Sequence, residues 1–121
     1  GIVPGGGSAL IHASDTVYMG EVRLSADQET GFNIVCSACY APFNAILKNA
    51  GLNFTSNGQE QPNYGYNVVT EEWCDMLSAG VIDPTKVTRT ALEKAVSVAS
   101  TLLTTECMIV NEPEEEGESK T

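Results

Sequence analysis

A single apolar stripe runs the length of residues 84–103 and limits the folds open to this chain. Asp83 followed by Pro84 indicates where a helix begins, because an acidic cap and a proline in the first turn both favour helix initiation. Apolar side chains then recur three and four residues apart, which is the spacing of one helix face. We therefore predict a long helix with a broad buried face. That face comprises Val87, Ala91, Leu92, Ala95, Val98, Ala99 and Leu102.

Three further helices are predicted before it. Residues 8–19 carry apolar side chains at helical spacing. Ser25 and Gln28 have the spacing of a capping box, in which each side chain bonds the backbone of the other residue, so a second helix should begin there. Pro42 should end that helix and open a third, because proline is tolerated only in a first turn. Gly51 is a suitable stop for the third helix.

The second half contains one more predicted helix, a loop and a strand. Residues 52–62 are rich in Asn, Ser, Gly and Gln, which is typical of a surface loop. Thr70 is a good N-cap with two glutamates after it, and Gly80 can end the helix that follows. Residues 107–110 form a short β-prone run that needs a partner strand. In the helix between Thr70 and Gly80, the residues expected to face inward are Trp73, Met76 and Leu77. The fold class expected for the whole chain is mainly α, multihelical, with one or two short β-strands.

Composition and charge exclude several classes of function. The 121 residues are 42% apolar, which suits one globular domain or part of one. The formal charge of −10 argues against binding to nucleic acid or to anionic lipid, since both rely on Lys and Arg. No apolar run approaches the roughly 20 residues that span a bilayer. We expect a body over residues 1–110, an acidic disordered tail over 111–121, and, as the first residue is not Met, a piece of a longer protein.

Four cysteines leave two interpretations open. Cys36 and Cys39 have the spacing of a zinc or thiol-redox pair, whereas Cys74 and Cys107 form no second close pair. The first pair also lies near the end of a helical run rather than at a helix N-terminus, where a thiolate would be stabilised. Packing as small apolar side chains is therefore favoured over a redox or metal site.

Six motifs, in order along the chain, are similar to one known family. They are Gly1-Ile2-Val3-Pro4-Gly5-Gly6-Gly7, Ala41-Pro42, Asn63-Tyr64-Gly65-Tyr66-Asn67, Thr70-Glu71-Glu72, the run from Gly80 to Arg89, and Thr104-Thr105-Glu106-Cys107-Met108. Together they resemble the C-terminal half of the equatorial domain of a group I, GroEL-type chaperonin. The resemblance reaches from Gly1 to about Val110. It implies a mostly helical half-domain that binds ATP and makes contacts within and between rings.

The resemblance also implies positions for an adenosine pocket. The backbone at Gly6 would approach the sugar and base, and the Asp83 carboxylate would accept hydrogen bonds from the ribose hydroxyls. The other role open to Asp83 is to cap the helix that begins at Pro84. The adenine would be lined by Asn67, Val68 and Val69, with Val81 as an apolar wall.

Catalysis is expected to lie elsewhere in the parent protein. In the family, the phosphate-binding loop belongs to the N-terminal half of the domain and the catalytic aspartate to the intermediate domain. The resemblance therefore implies ATP as cofactor, with Mg²⁺ held by other parts of the parent, and neither a catalytic residue nor a metal ligand in this chain. Whether the chain alone is an enzyme stays open, although we expect it to be inactive. The implied partners are identical subunits in a double ring, unfolded polypeptides and, if one is needed, a co-chaperonin.

Other singled-out residues receive structural roles. Tyr64, Tyr66 and Trp73 are expected to be core or interface aromatics, and His12 to pack or contact solvent. Lys86 and Arg89 are expected to be solvated or interface cations. The acidic tail stands where the family has flexible Gly-Met repeats, which puts its role in question.

Two other functions remain open beside the chaperonin. One is a stand-alone helical interaction module without nucleotide binding, and the other is a small thiol-redox or metal protein that uses Cys36 and Cys39. The expected location is the cytoplasm, with the mitochondrial matrix or another organelle of bacterial origin as the alternative.

Overall fold

Four helices and four short strands make up the part of the chain that the computed structural model describes, residues 1–18, 23–54 and 61–112. The helices are α1 (Ser8–Tyr18), α2 (Ala26–Ala38), α3 (Ala41–Asn49) and α4 (Thr85–Leu103). The strands are β1 (Ile2–Pro4), β2 (Tyr64–Asn67), β3 (Glu72–Asp75) and β4 (Ile82–Pro84). The predicted class, mainly helical with a few short strands, is confirmed. Most of the predicted loop at 52–62 and of the acidic tail lies outside the described residues. No helix in the described part has both the length and the apolar character needed to cross a bilayer.

Local sequence signals determine the ends of the first helices. The capping box of α2 is present, since the Ser25 hydroxyl accepts from the Gln28 N–H and the Gln28 side chain accepts from the Ser25 N–H. Pro42 lies in the first turn of α3. Gly51 follows the end of α3 with φ of +76°, a left-handed conformation that glycine adopts without strain. These three predictions are confirmed.

The helix predicted between Thr70 and Gly80 is wrong. Strands β2 and β3 form an antiparallel hairpin there, in which Tyr66 pairs with Trp73 and Asn67 with Glu72. Tyr64, Tyr66 and Trp73 carry the side-chain alternation of a half-buried strand pair, which the helix prediction overlooked.

The turn of this hairpin explains why the helix does not begin at Thr70. The Asn67 side-chain oxygen accepts from the N–H groups of Val69 at 3.0 Å and Thr70 at 3.4 Å, so Asn67 rather than Thr70 organises the loop. Glu71 then adopts φ of +57°, which is incompatible with the first turn of an α-helix. The chain consequently reverses and returns as β3.

Strands β1 and β4 form a second antiparallel pair, with Val3 opposite Asp83 and Ile2 opposite Pro84. Helix α4 follows directly, and its N-cap is Pro84, without a side-chain capping bond. The alternative role considered for Asp83, capping this helix, is therefore wrong. Asp83 is a strand residue, and its side chain does not cap the helix.

The core lies between α1, α3 and the hairpin. Its buried cluster is Ile11, Phe43, Leu47 and Tyr66, and Trp73 packs against it from the hairpin. The Tyr66 and Trp73 rings meet edge to face with centroids 5.3 Å apart, a favourable geometry for aromatic pairs. The predicted core role of these two aromatics is confirmed.

The predicted burial of α4 is wrong for the described chain. None of its 19 residues is buried, and Val87, Val98 and Leu102 are exposed. The spacing predicted the helix correctly, but no described element covers its apolar face. Residues 107–110 form no strand and are all exposed, because they have no partner strand in the described part of the chain.

Candidate functional site

A glycine turn between β1 and α1 is the first component of the candidate site. The Gly5 N–H donates to the Val81 carbonyl at 2.8 Å, which joins the turn to the segment before β4. The Ser8 hydroxyl donates back to the Gly5 carbonyl at 2.6 Å and is buried. Gly6 and Gly7 have φ of +68° and +79°, so both lie in the left-handed region. The chain therefore enters α1 through a tight turn that only glycine adopts without strain.

Close neighbours also require glycine at this turn. A Cβ on Gly6 would lie 2.8 Å from Met76 Cε and 3.5 Å from the Tyr66 carbonyl oxygen. A Cβ on Gly7 would lie 2.6 Å from the backbone nitrogen of Phe43. The turn is thus wedged between the hairpin and α3, and the glycines have a packing role in addition to any approach to a ligand.

The Asp83 carboxylate is the second component. Asp83 lies in β4 opposite Val3 and is half-buried. Across residues 1–18, 23–54 and 61–112, the carboxylate oxygens of Asp83 accept no hydrogen bond. The one ion pair found in these ranges joins Arg89 to Glu93 on α4. Both Asp83 oxygens can therefore accept hydrogen bonds from a ligand with neighbouring hydroxyl donors.

The segment predicted to line the adenine is the third component, and its three residues have different environments. Asn67 uses its side-chain oxygen to hold the hairpin turn. Val68 is half-buried and packs against the core cluster, whereas the Val69 side chain is 87% exposed. Of the two valines, Val69 is the one whose side chain reaches solvent.

The three components of the candidate site are not all equally close to one another. The β1–β4 pairing and the Gly5–Val81 hydrogen bond join the segment from Val3 to Gly6 to the segment from Val81 to Asp83. Asn67 follows Tyr66, whose carbonyl lies beside Gly6, so the end of β2 borders the same turn. Val69 lies two residues farther along, at the exposed end of the hairpin.

Two residues support this turn: Met76, which faces inward as predicted although no helix carries it, and His12, whose hydrogen bond the sequence did not indicate. Met76 is fully buried and fills the space beside Gly6 and Gly65, where a Cβ on Gly65 would lie 2.7 Å from Met76 Cγ. His12 Nε2 lies 2.7 Å from the Tyr64 carbonyl oxygen, a hydrogen bond that ties α1 to β2. Spacing gave no signal for either role, because both depend on contacts between distant parts of the chain.

The remaining candidate side chains are structural or solvated. Lys86 and Arg89 are exposed on α4, as predicted. Cys39 is buried at the end of α2, where burial and the neighbouring Cys36 raise the pKa of its thiol. Within the described ranges no three His, Cys, Asp or Glu side chains form a group that could hold a metal ion.

Comparison with known proteins identifies the family. The model of the TCP-1/cpn60 chaperonin family matches residues 1–113. Among solved structures, a group III chaperonin in the open state is similar, with 30% sequence identity over 90% of this chain and a TM-score of 0.73. The matched region is 24% of that chaperonin's chain, so this chain spans about a quarter of its length. The chain therefore belongs to the TCP-1/cpn60 chaperonin family.

Proposed function

We propose that this chain is the C-terminal half of the equatorial domain of an ATP-dependent chaperonin, and that it supplies the adenine and ribose side of the nucleotide pocket. The observation that carries the proposal is the pairing of β1 with β4. This pairing sets Val3 opposite Asp83, a half-buried carboxylate without a described partner, and the glycine turn follows two residues after Val3, bonded to Val81.

The chemistry of these residues fits a nucleoside. Neighbouring ribose hydroxyls are two donors, and an ionised carboxylate accepts two or more hydrogen bonds. Gly6 is half-buried in the left-handed turn, so part of its backbone stays open to a sugar or base, while Met76 occupies the direction in which a Cβ would point. Val81 is half-buried next to the turn and provides apolar surface. In this proposal the chain binds and orients adenosine, while the triphosphate, its Mg²⁺ and the hydrolytic water are handled by other parts of the protein.

The finer assignment is to group I. It is supported by the run of motifs from Gly1 to Met108, in particular Asn63–Asn67 and the Asp83–Arg89 segment. The accompanying proposals are a double ring of identical subunits, unfolded polypeptide clients, a co-chaperonin lid and a cytoplasmic or organellar location. The test for group I is electron microscopy of the full-length assembly with and without a separate co-chaperonin. Rings that bind the co-chaperonin support group I, and rings that close without it contradict it.

The ribose role of Asp83 is tested on the full-length protein that contains this chain. The measurement is the affinity for ATP and for 2′-deoxyATP in Asp83→Ala and in the control Asp27→Ala, which removes an equal charge from α2. A hydrogen bond to a charged group contributes about 1.5–3 kcal/mol, so the unaltered protein should prefer ATP by roughly tenfold or more. In Asp83→Ala the preference should disappear, while Asp27→Ala keeps it. An undiminished preference in Asp83→Ala would contradict the proposal.

One observation favours the second candidate, a helical interaction module without nucleotide binding. No residue on the apolar face of α4 is buried, and most of that face is exposed, as in a docking helix. The two functions separate in the same experiment, because a module that binds proteins alone has no affinity for ATP in either form. Equal and negligible binding of both nucleotides by the full-length protein would favour the module.

A further inference from the structure

The end of α2 carries two cysteines, Cys36 and Cys39, whose relative placement depends on the shape of the last turn. The Cys39 N–H is shared between the Val35 carbonyl at 3.1 Å and the Cys36 carbonyl at 3.2 Å, and the Tyr40 N–H donates to Ser37 at 3.3 Å. Bonds that span three residues are those of a 3₁₀ turn, in which side chains three apart eclipse one another. The tightened turn therefore places the Cys36 and Cys39 side chains on the same side of the chain.

The surroundings give the two thiols different access. Cys36 is half-buried and lines an open cleft beside α1, where the Ser14 hydroxyl donates to its carbonyl at 3.4 Å. Cys39 is 5% exposed. Next to it, the Tyr40 hydroxyl donates to the Asp15 carboxylate at 2.7 Å, which fixes the end of α2 against α1. A reagent in the cleft can thus reach Cys36 before Cys39.

We propose that Cys36 and Cys39 form a reversible thiol–disulfide site, in which Cys36 reacts first and Cys39 resolves the product. This modification site is separate from the proposed nucleotide function. The oxidant is a low-molecular-weight disulfide. The Cys36 thiolate attacks one of its sulfurs, the S–S bond of the oxidant breaks and one small thiolate leaves. Cys39 then loses its proton, attacks the Cys36 sulfur and expels the second small thiol. Two protein thiols are oxidised to one disulfide, and the oxidant is reduced to two thiols.

The described residues favour this chemistry over metal binding. Structural zinc takes four ligands, and no third His, Cys, Asp or Glu joins the pair in the described part of the chain. Burial, and then the charge of Cys36, raise the pKa of the Cys39 thiol, so the resolving step is slower than it would be for an exposed thiol. The mixed disulfide on Cys36 should therefore accumulate before the internal disulfide forms.

The test treats the full chain with glutathione disulfide and follows each cysteine by mass spectrometry of its peptides. Cys107 is exposed and serves as the internal control that the reagent is active. The variants are Cys36→Ala and Cys39→Ala, and each keeps Cys107 as the control. Thermal unfolding of each variant shows that it is folded before treatment.

The expected results differ for each variant. With both cysteines present, glutathione appears transiently on Cys36, and an internal Cys36–Cys39 disulfide follows that dithiothreitol reverses. In Cys39→Ala the glutathione stays on Cys36, and in Cys36→Ala the buried Cys39 stays reduced. The proposal is overturned if Cys107 reacts while Cys36 and Cys39 both remain free thiols, or if glutathione on Cys36 persists unchanged when Cys39 is present.

Discussion

Alanine in place of Gly7 should destabilise the chain far more than one methyl group ordinarily does. Gly7 has φ of +79°, and a Cβ there would lie 2.6 Å from the Phe43 nitrogen and 2.8 Å from its Cα. The left-handed conformation costs a residue with a Cβ about 1–2 kcal/mol. Moving the α3 backbone away from a close-packed core costs about 1–3 kcal/mol more. The sum is a loss of about 2–5 kcal/mol in the free energy of unfolding.

Gly51 offers a matched control. Its φ of +76° is nearly the same, but a Cβ there would meet nothing within 4 Å. Gly51→Ala therefore carries the conformational cost alone, about 1–2 kcal/mol. The difference between the two variants isolates the clash with Phe43. Gly6→Ala should fall between them, because its close neighbour is the flexible end of Met76.

Urea denaturation followed by circular dichroism measures these losses. The midpoint urea concentration should decrease least for Gly51→Ala, more for Gly6→Ala and most for Gly7→Ala. The slope of the free energy of unfolding against urea concentration should stay the same, since the surface exposed on unfolding changes little. Equal losses for Gly7→Ala and Gly51→Ala would refute the reasoning, because they would mean that α3 yields to the methyl group without cost.

Three further predictions concern the core, a cap and a titrating group. Phe43→Ala should lower the free energy of unfolding by about 3–5 kcal/mol, whereas Leu103→Ala, at a side chain that is 85% exposed, should change it by less than about 0.5 kcal/mol; urea denaturation again decides, and similar losses would contradict the assigned core. Ser25→Ala should remove the capping box and cost about 1 kcal/mol, seen as a lower Tm, and an unchanged Tm would mean that the cap contributes nothing. The hydrogen bond to the Asp15 carboxylate, followed by burial and nearby negative charge, raises the pKa of Tyr40 from 10.0 to about 12. Because the folded pKa is the higher one, this contribution to stability is complete below pH 10 and is lost as the pH rises towards 12. Ultraviolet titration should show a late tyrosine that Asp15→Asn shifts back towards 10.0, and an unshifted titration would contradict the assignment of the cause.

Much of the helical part was predictable because its signals are local. The capping box at Ser25, the proline at 42 and the glycine at 51 each act within one turn of the backbone they control. The long helix α4 was predicted within a residue at either end, since its apolar period continues over five turns. The burial of its face was not predictable, because burial depends on whether another element covers it.

The hairpin was missed because two local patterns competed. Thr70 followed by two acidic residues has the composition of a helix start. Tyr64, Tyr66 and Trp73 have the alternation of strands, and Tyr66 pairs with Trp73 across the turn with their rings in contact. The strand pattern prevails because the Asn67 side chain accepts the hydrogen bonds that close the hairpin loop. The composition of residues 70–72 does not indicate this loop.

The candidate site could be located only in part. The residues for the adenosine pocket came from family motifs, and whether they bind a nucleotide stays a prediction. Sequence spacing does not reveal that Gly5 bonds Val81 or that Met76 supports Gly6, since these contacts join segments some seventy residues apart. It also suggested a capping role for Asp83 that the strand pairing excludes.

The β1–β4 pairing has a consequence for the order of folding. It joins the first residues of the chain to a segment just before α4, and closing so long a loop costs conformational entropy before any contact is gained. The helices and the hairpin, built from nearby residues, should form earlier, and this closure should be the slow event. The glycine turn meets Asp83 only at that moment. A nucleotide that contacts both would bind only the folded state and would therefore shift the folding equilibrium towards it.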